Sequence, residues 1–195
     1  MKARSILIGL AVIFVMVAGF LWQRYFADGP LDKAGTVRLA TPLAVAAAPI
    51  WIAQDRGYFT KAGLDSTVSK CSAGKDCVDA MYRGDTDLAT AAEFVVARLS
   101  FSQKDLRVLG TTATSHDISL LADKSKGIAA VADLKGKRVG VGVGTNGEYF
   151  LSRLLTRNGI DQDAITWVDI KPQEMDAAMS AGHVDAVLTW TPFVN

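Results

Sequence analysis

The sequence is short of the residues that most chemistry depends on. Its 195 residues include two histidines, two cysteines and five prolines. Neither His116 nor His183 stands at ligand spacing from Cys71 or Cys77, so a zinc-type site lacks partners. No nucleophile–histidine–acid set and no paired carboxylates stand out. His116 and Asp117 are adjacent, and adjacent side chains on a strand point to opposite faces, which makes them a poor catalytic dyad. His183, between Gly182 and Val184, reads as a solvated turn residue. No catalytic residue, metal ligand or cofactor is assigned, and the chain is not expected to be an enzyme.

Runs of like charge are missing too, and so is a basic excess. Residues 1–25 hold Lys2, Arg4 and Arg24 and no acid, so the rest carries 18 of the 21 basic residues against 20 acidic ones. A nucleic-acid partner normally demands a clear positive balance, and that class is set aside.

What the chain does have is one long apolar run. Residues 6–22 contain no charge, with Lys2 and Arg4 before them and Gln23-Arg24 after them. That is the charge order of a secretory signal or of a helix inserted with its start in the cytoplasm. At ~1.5 Å rise per residue, such a run just crosses a ~30 Å hydrocarbon core. Two readings stay open: an uncleaved anchor contacting the cytoplasmic membrane through residues 6–22, or a cleaved signal. The bulky Leu21-Trp22 and Tyr25-Phe26 suit an interfacial belt better than a peptidase site, and no cysteine near residue 20 offers a lipid anchor. Both readings make residues 1–26 a targeting or anchoring segment and place the remainder on the periplasmic side, anchored or secreted.

Cys71 and Cys77 are six residues apart, and an oxidising compartment favours their pairing as a local disulfide; a metal pair is the alternative. From Thr36 onward short apolar strands alternate with helical stretches. Strands are expected at 37–40, 64–69, 87–91, 106–112, 118–122, 139–143, 165–170 and 186–188. Helices are expected from Pro49 to Tyr58, over 76–83 with Val78, Met81 and Tyr82 inward, and after Glu93. Another is expected after Asn146, with Phe150, Leu151, Leu154 and Leu155 on one face and Gly159 ending it, and a last over 172–181. Repeated strand–helix units predict an α/β fold with a mostly parallel sheet, which binds ligands at the carboxyl ends of its strands.

Gly142-Val143-Gly144-Thr145-Asn146-Gly147 spells G-x-G-x-x-G between a strand and a helix, with Asp169 22 residues beyond Gly147. By pattern this is a dinucleotide fingerprint. Only 48 residues follow Gly147, too few to finish a six-stranded nucleotide domain. A turn presenting amides to a generic oxyanion, or a purely structural turn, are the other two readings.

Four segments in order carry a family resemblance. They are Ala48-Pro49-Ile50-Trp51-Ile52-Ala53-Gln54-Asp55-Arg56-Gly57-Tyr58-Phe59, Met81-Tyr82-Arg83-Gly84-Asp85-Thr86-Asp87-Leu88-Ala89, Asp133-Leu134-Lys135-Gly136-Lys137-Arg138-Val139-Gly140-Val141 and Ala181-Gly182-His183-Val184-Asp185-Ala186-Val187-Leu188-Thr189-Trp190-Thr191-Pro192. Over residues 36–195 the chain resembles the solute-binding proteins of ABC importers of the nitrate/sulfonate/taurine type, a group with thiamine-precursor relatives. The resemblance implies a two-lobed, type II periplasmic-binding-protein-like fold, with 36–115 in lobe one and 116–195 in lobe two. It implies a small polar or anionic solute as ligand and an ABC permease as partner. Candidate ligand-binding residues are Thr41, Trp51 and Glu93 in lobe one, Thr114 and His116 at the crossover, and Thr145, Asn146 and Trp190 in lobe two. Family members continue beyond the point where this chain stops and return to lobe one, so lobe one is expected to be incomplete, with apolar surface uncovered. A membrane-anchored sensory module is the alternative function. An enzyme of the thiamine-pyrimidine kind is a third, and its associated cysteine-rich motif is absent.

Overall fold

The structure is a computed structural model and describes residues 35–194. The apolar run at 6–22 lies outside them. Among the described residues, no helix is long and apolar enough to cross a membrane.

Two sheets form, one in each half of the described chain. The first contains β1 (Val37–Pro42), β2 (Ser66–Cys71) and β3 (Leu88–Ala89), in the order β2-β1-β3 and parallel throughout. Between β1 and β2 lie helices α1 (Ala48–Asp55) and α2 (Tyr58–Lys61); α3 (Gly74–Tyr82) follows β2, and α4 (Glu93–Ser100) follows β3. The second sheet has the order β4-β7-β5-β6, from β4 (Ile118–Ala122), β5 (Arg138–Val141), β6 (Thr166–Asp169) and β7 (Ala186–Trp190). Only β4, on its edge, runs antiparallel to its neighbour. Helix α5 (Asn146–Arg157) follows β5, and α6 (Met175–Ser180) follows β6.

The second sheet is covered on both faces, as its period of two dictates. Val139, Val141, Ala186 and Leu188 pack with Leu151 and Leu155 of α5, while Val187 packs with Met175 and Ala178 of α6. Thr145 caps α5, its Oγ1 accepting from the Gly147 amide at 3.1 Å, and Gly159 ends the helix with φ 64°. The apolar face of α5 is narrower than expected: Leu151 and Leu155 are buried, Leu154 is half-buried and Phe150 is exposed.

The first sheet is thinner. Helix α1 buries none of its residues, and in α3 Val78 is buried, Met81 half-buried and Tyr82 exposed. The strand expected at 106–112 does not form. No neighbouring strand pairs with that segment, and Val108 and Leu109 lie 68% and 80% exposed. Thr191–Pro192 is a cis bond opening a turn.

Candidate functional site

The carboxyl ends of both sheets converge on one joint. On the first sheet Thr41 is fully buried near the end of β1, its hydroxyl 2.6 Å from that of Thr90 just beyond β3. Thr41 is in register with Lys70 of β2, whose ammonium lies 5.6 Å from the Trp51 ring centroid. That contact draws half-buried Trp51 to the same edge, although it sits within α1. Glu93 is exposed at the first position of α4.

Where β2 gives way to α3, Cys71 and Cys77 are bonded, with Cα atoms 5.5 Å apart. Within that loop Asp76 accepts from the Ala73 amide at 3.1 Å and so closes the start of α3. Gly74 is packed so tightly that a Cβ there would stand 2.7 Å from the Ala91 Cα. Lys75 donates to the Asp79 carboxylate at 2.8 Å, and that hydrogen bond raises the lysine pKa against the opposing effect of burial.

On the second sheet the glycine-rich turn after β5 folds onto its own side chains. The Val143 amide donates to Asp169 Oδ1 at 2.9 Å, the Gly144 amide to Glu148 Oε2 at 2.5 Å, and Thr145 Oγ1 to the Gly142 carbonyl at 2.7 Å. Asp169 therefore serves its own turn rather than reaching outward toward a ribose. The four-stranded order β4-β7-β5-β6 is also not that of a dinucleotide domain. Asn146 is half-buried at the first position of α5. Trp190, 6% exposed at the end of β7, meets Phe193 edge-on at 6.5 Å between ring centroids.

Among the described residues, contacts cross from one edge to the other at several points. Gln173 Nε2 donates to the Ser72 carbonyl at 3.1 Å. Phe94 of α4 stacks on Tyr149 of α5, with centroids 5.2 Å apart. Gly144, at φ 82°, lies against Lys75 and Arg98, so that a Cβ would come within 2.7 Å of Lys75 Cδ and 2.8 Å of Arg98 Nη1. Among the described residues Arg98 has no ion-pair partner.

Of the eight residues proposed from sequence, Thr41, Trp51 and Glu93 lie at or beside the first carboxyl edge, and Thr145, Asn146 and Trp190 at the second. Thr114 and His116 are exposed on the irregular stretch before β4, and no hydrogen bond ties either side chain to the joint. Thr90, Ser72, Lys75, Arg98 and Gln173 were not singled out. Ser72 and Lys75 carried a signal, since both fall inside the Cys71–Cys77 loop at a strand-to-helix turn. Among the described residues no group of three His, Cys, Asp or Glu side chains is placed to hold a metal ion.

Comparison with known proteins agrees with this geometry. The taurine-binding periplasmic protein of Escherichia coli K12 is 26% identical over 164 residues, 84% of this chain and 51% of that one. The 4-amino-5-hydroxymethyl-2-methylpyrimidine phosphate synthase of Legionella pneumophila is 25% identical over 147 residues, 75% of this chain and 45% of the enzyme. Among solved structures, the alkanesulfonate-binding protein of Xanthomonas axonopodis pv. citri bound to MOPS superimposes with a TM-score of 0.66 at 23% identity, covering 82% of this chain and 56% of that one. That likeness makes the α/β fold periplasmic-binding-protein-like. The chain spans about half the length of the curated relatives it matches. The sequence profile described as NMT1/THI5 like matches residues 45–194, and the chain belongs to that family.

Proposed function

We propose that this chain is the ligand-binding part of an extracytoplasmic receptor that delivers a small polar or anionic solute, such as a sulfonate or nitrate, to an ABC importer. The observation that carries this reading is the meeting of two carboxyl edges across Gly144, Lys75 and Arg98. Parallel sheets present loop amides and helix starts at that end, and two such edges facing each other make a cleft that a solute can draw shut. Residues 36–115 act as one lobe and 116–195 as the other. Thr41, Trp51, Glu93, Thr145, Asn146 and Trp190 line the cleft, and Thr114 and His116 belong to the crossover.

Binding rather than catalysis is the reading, because among the described residues the joint brings together hydroxyls, indoles, cations and the Glu93 carboxylate, with no base hydrogen-bonded to a nucleophile. The synthase relative keeps an enzyme in view, and a sensory module would use the same cleft. The polar order of the leader, with residues 6–22 as signal or anchor, places the cleft outside the cytoplasm. A thermal-shift screen of residues 27–195 against sulfonates, nitrate, amino acids and pyrimidines tests the proposal. Stabilisation by one of these is expected; a flat response to all of them rejects it.

A further inference from the structure

The Cys71–Cys77 bond closes a loop that does more than join β2 to α3. The loop holds Ser72, whose carbonyl accepts from Gln173 across the joint, and Lys75, which packs on Gly144 across the joint. The contacts at Gln173 and at Gly144 therefore both involve residues inside one disulfide ring. Another, Phe94 on Tyr149, starts from α4, and Arg98 on that helix shares the Gly144 contact. Gly74, in the same ring, is wedged against Ala91 just before α4, so the ring abuts the start of α4 directly.

We propose that the Cys71–Cys77 disulfide is a redox-sensitive brace on lobe closure, holding the 72–75 turn in the shape that meets Gly144 and Gln173. Cys71 is half-buried and Cys77 fully buried. A dithiol reductant therefore attacks the Cys71 sulfur, and Cys77 leaves as the thiolate. The mixed disulfide resolves when the reductant's second thiol closes it into a cyclic disulfide, leaving two protein thiols and one oxidised reductant. Freed of the bond, the turn before α3 gains conformations, and contacts that need one of them weaken. The consequence for solute affinity rests on the receptor reading above; the geometry does not.

Hydrogen exchange of the ligand-free chain separates the two. Reduction with dithiothreitol is expected to raise exchange roughly tenfold at 66–83 and also at 142–149 and 172–175, which lie across the joint. A rise confined to 66–83 would mean a local staple and overturn the proposal. The Gln173→Ala/Arg98→Ala double variant, with the disulfide intact, is expected to raise exchange at 142–149 without loosening 66–83. If the reduced chain unfolds altogether, this variant decides alone, and no change at 142–149 overturns the brace. Binding of the sulfonates, nitrate, amino acids and pyrimidines of the thermal-shift screen, measured in parallel on oxidised and reduced protein, reports on the receptor reading: no binding of any of them by either form rejects that reading while leaving the exchange result to judge the brace.

Discussion

Asp185 grips Arg138 at three points. Its carboxylate accepts from the arginine's backbone amide at 2.9 Å, from Nε at 3.2 Å and from Nη2 at 2.7 Å. Asp87 holds Arg38 in the same way, at 2.8, 3.1 and 2.7 Å. In each case the arginine lies at the amino end of a central strand, β5 or β1. The aspartate closes a glycine turn just before the neighbouring strand, β7 or β3. The two sheets thus carry the same clamp at the end opposite the joint.

The clamps differ in burial, and that decides their worth. The Asp185 side chain is 12% exposed and that of Asp87 is 45% exposed. Asp185→Asn is expected to cost about 2 kcal/mol, because charge-assisted hydrogen bonds are lost where water replaces them poorly. Asp87→Asn should cost clearly less, as an exposed pair does. Urea unfolding of the two variants checks the ranking, which equal midpoints would refute.

Acid should act through the same groups. Hydrogen bonds from Arg38 lower the Asp87 pKa from 3.8 to about 2, and Arg138, Ser125 and the amides of Ala129 and Ala130 lower those of Asp185, Asp123 and Asp133. A carboxylate with a depressed folded-state pKa adds stability above its unfolded value and loses it as pH falls through the folded one. Unfolding free energy should therefore decline from about pH 4 toward about pH 2. Asp87→Asn should flatten part of that slope, and a pH series of urea titrations in which the variant keeps the parent's slope would contradict the assignment.

Gly74 is a steric requirement rather than a hinge. Gly74→Ala would push a Cβ to 2.7 Å from the Ala91 Cα, a backbone atom that cannot turn aside. A loss of about 1–3 kcal/mol is expected. Gly110→Ala, with nothing within 4 Å of the new methyl, serves as the neutral control. Thermal melts of the pair settle it.

The two halves should respond unequally to truncation of apolar residues. Leu151→Ala and Leu155→Ala remove side chains with no exposed surface, and each should cost about 2–5 kcal/mol. Ile52→Ala, at a site 53% exposed, should stay within about 0.5 kcal/mol. A large effect at Ile52 would mean that α1 is covered in solution.

Much of this architecture was legible because local signals were strong. Thr145 before α5, Pro49 in the first turn of α1 and the apolar run of β7 fix elements without help from distant residues. The segment 106–112 misled because β-branched and apolar residues make a strand only where another strand offers a ladder. The site was half legible. Strand ends could be located, so Thr41, Thr145 and Trp190 could be named. Gln173 and Ser72, 101 residues apart, meet only because two sheets face each other, and no local pattern records that. Arg98 sits in an ordinary helical turn, and its significance comes from a glycine in the other half.

The matched arginine clamps separate two properties that most small proteins entangle. Each half is fastened at its heel, far from the toe where solute specificity would be written. On the receptor reading proposed above, exchanges of hydroxyls, indoles and cations at the toe would rewrite ligand preference without slackening the heel. Tolerance to acid, set at the heel, can shift while the cleft keeps its chemistry.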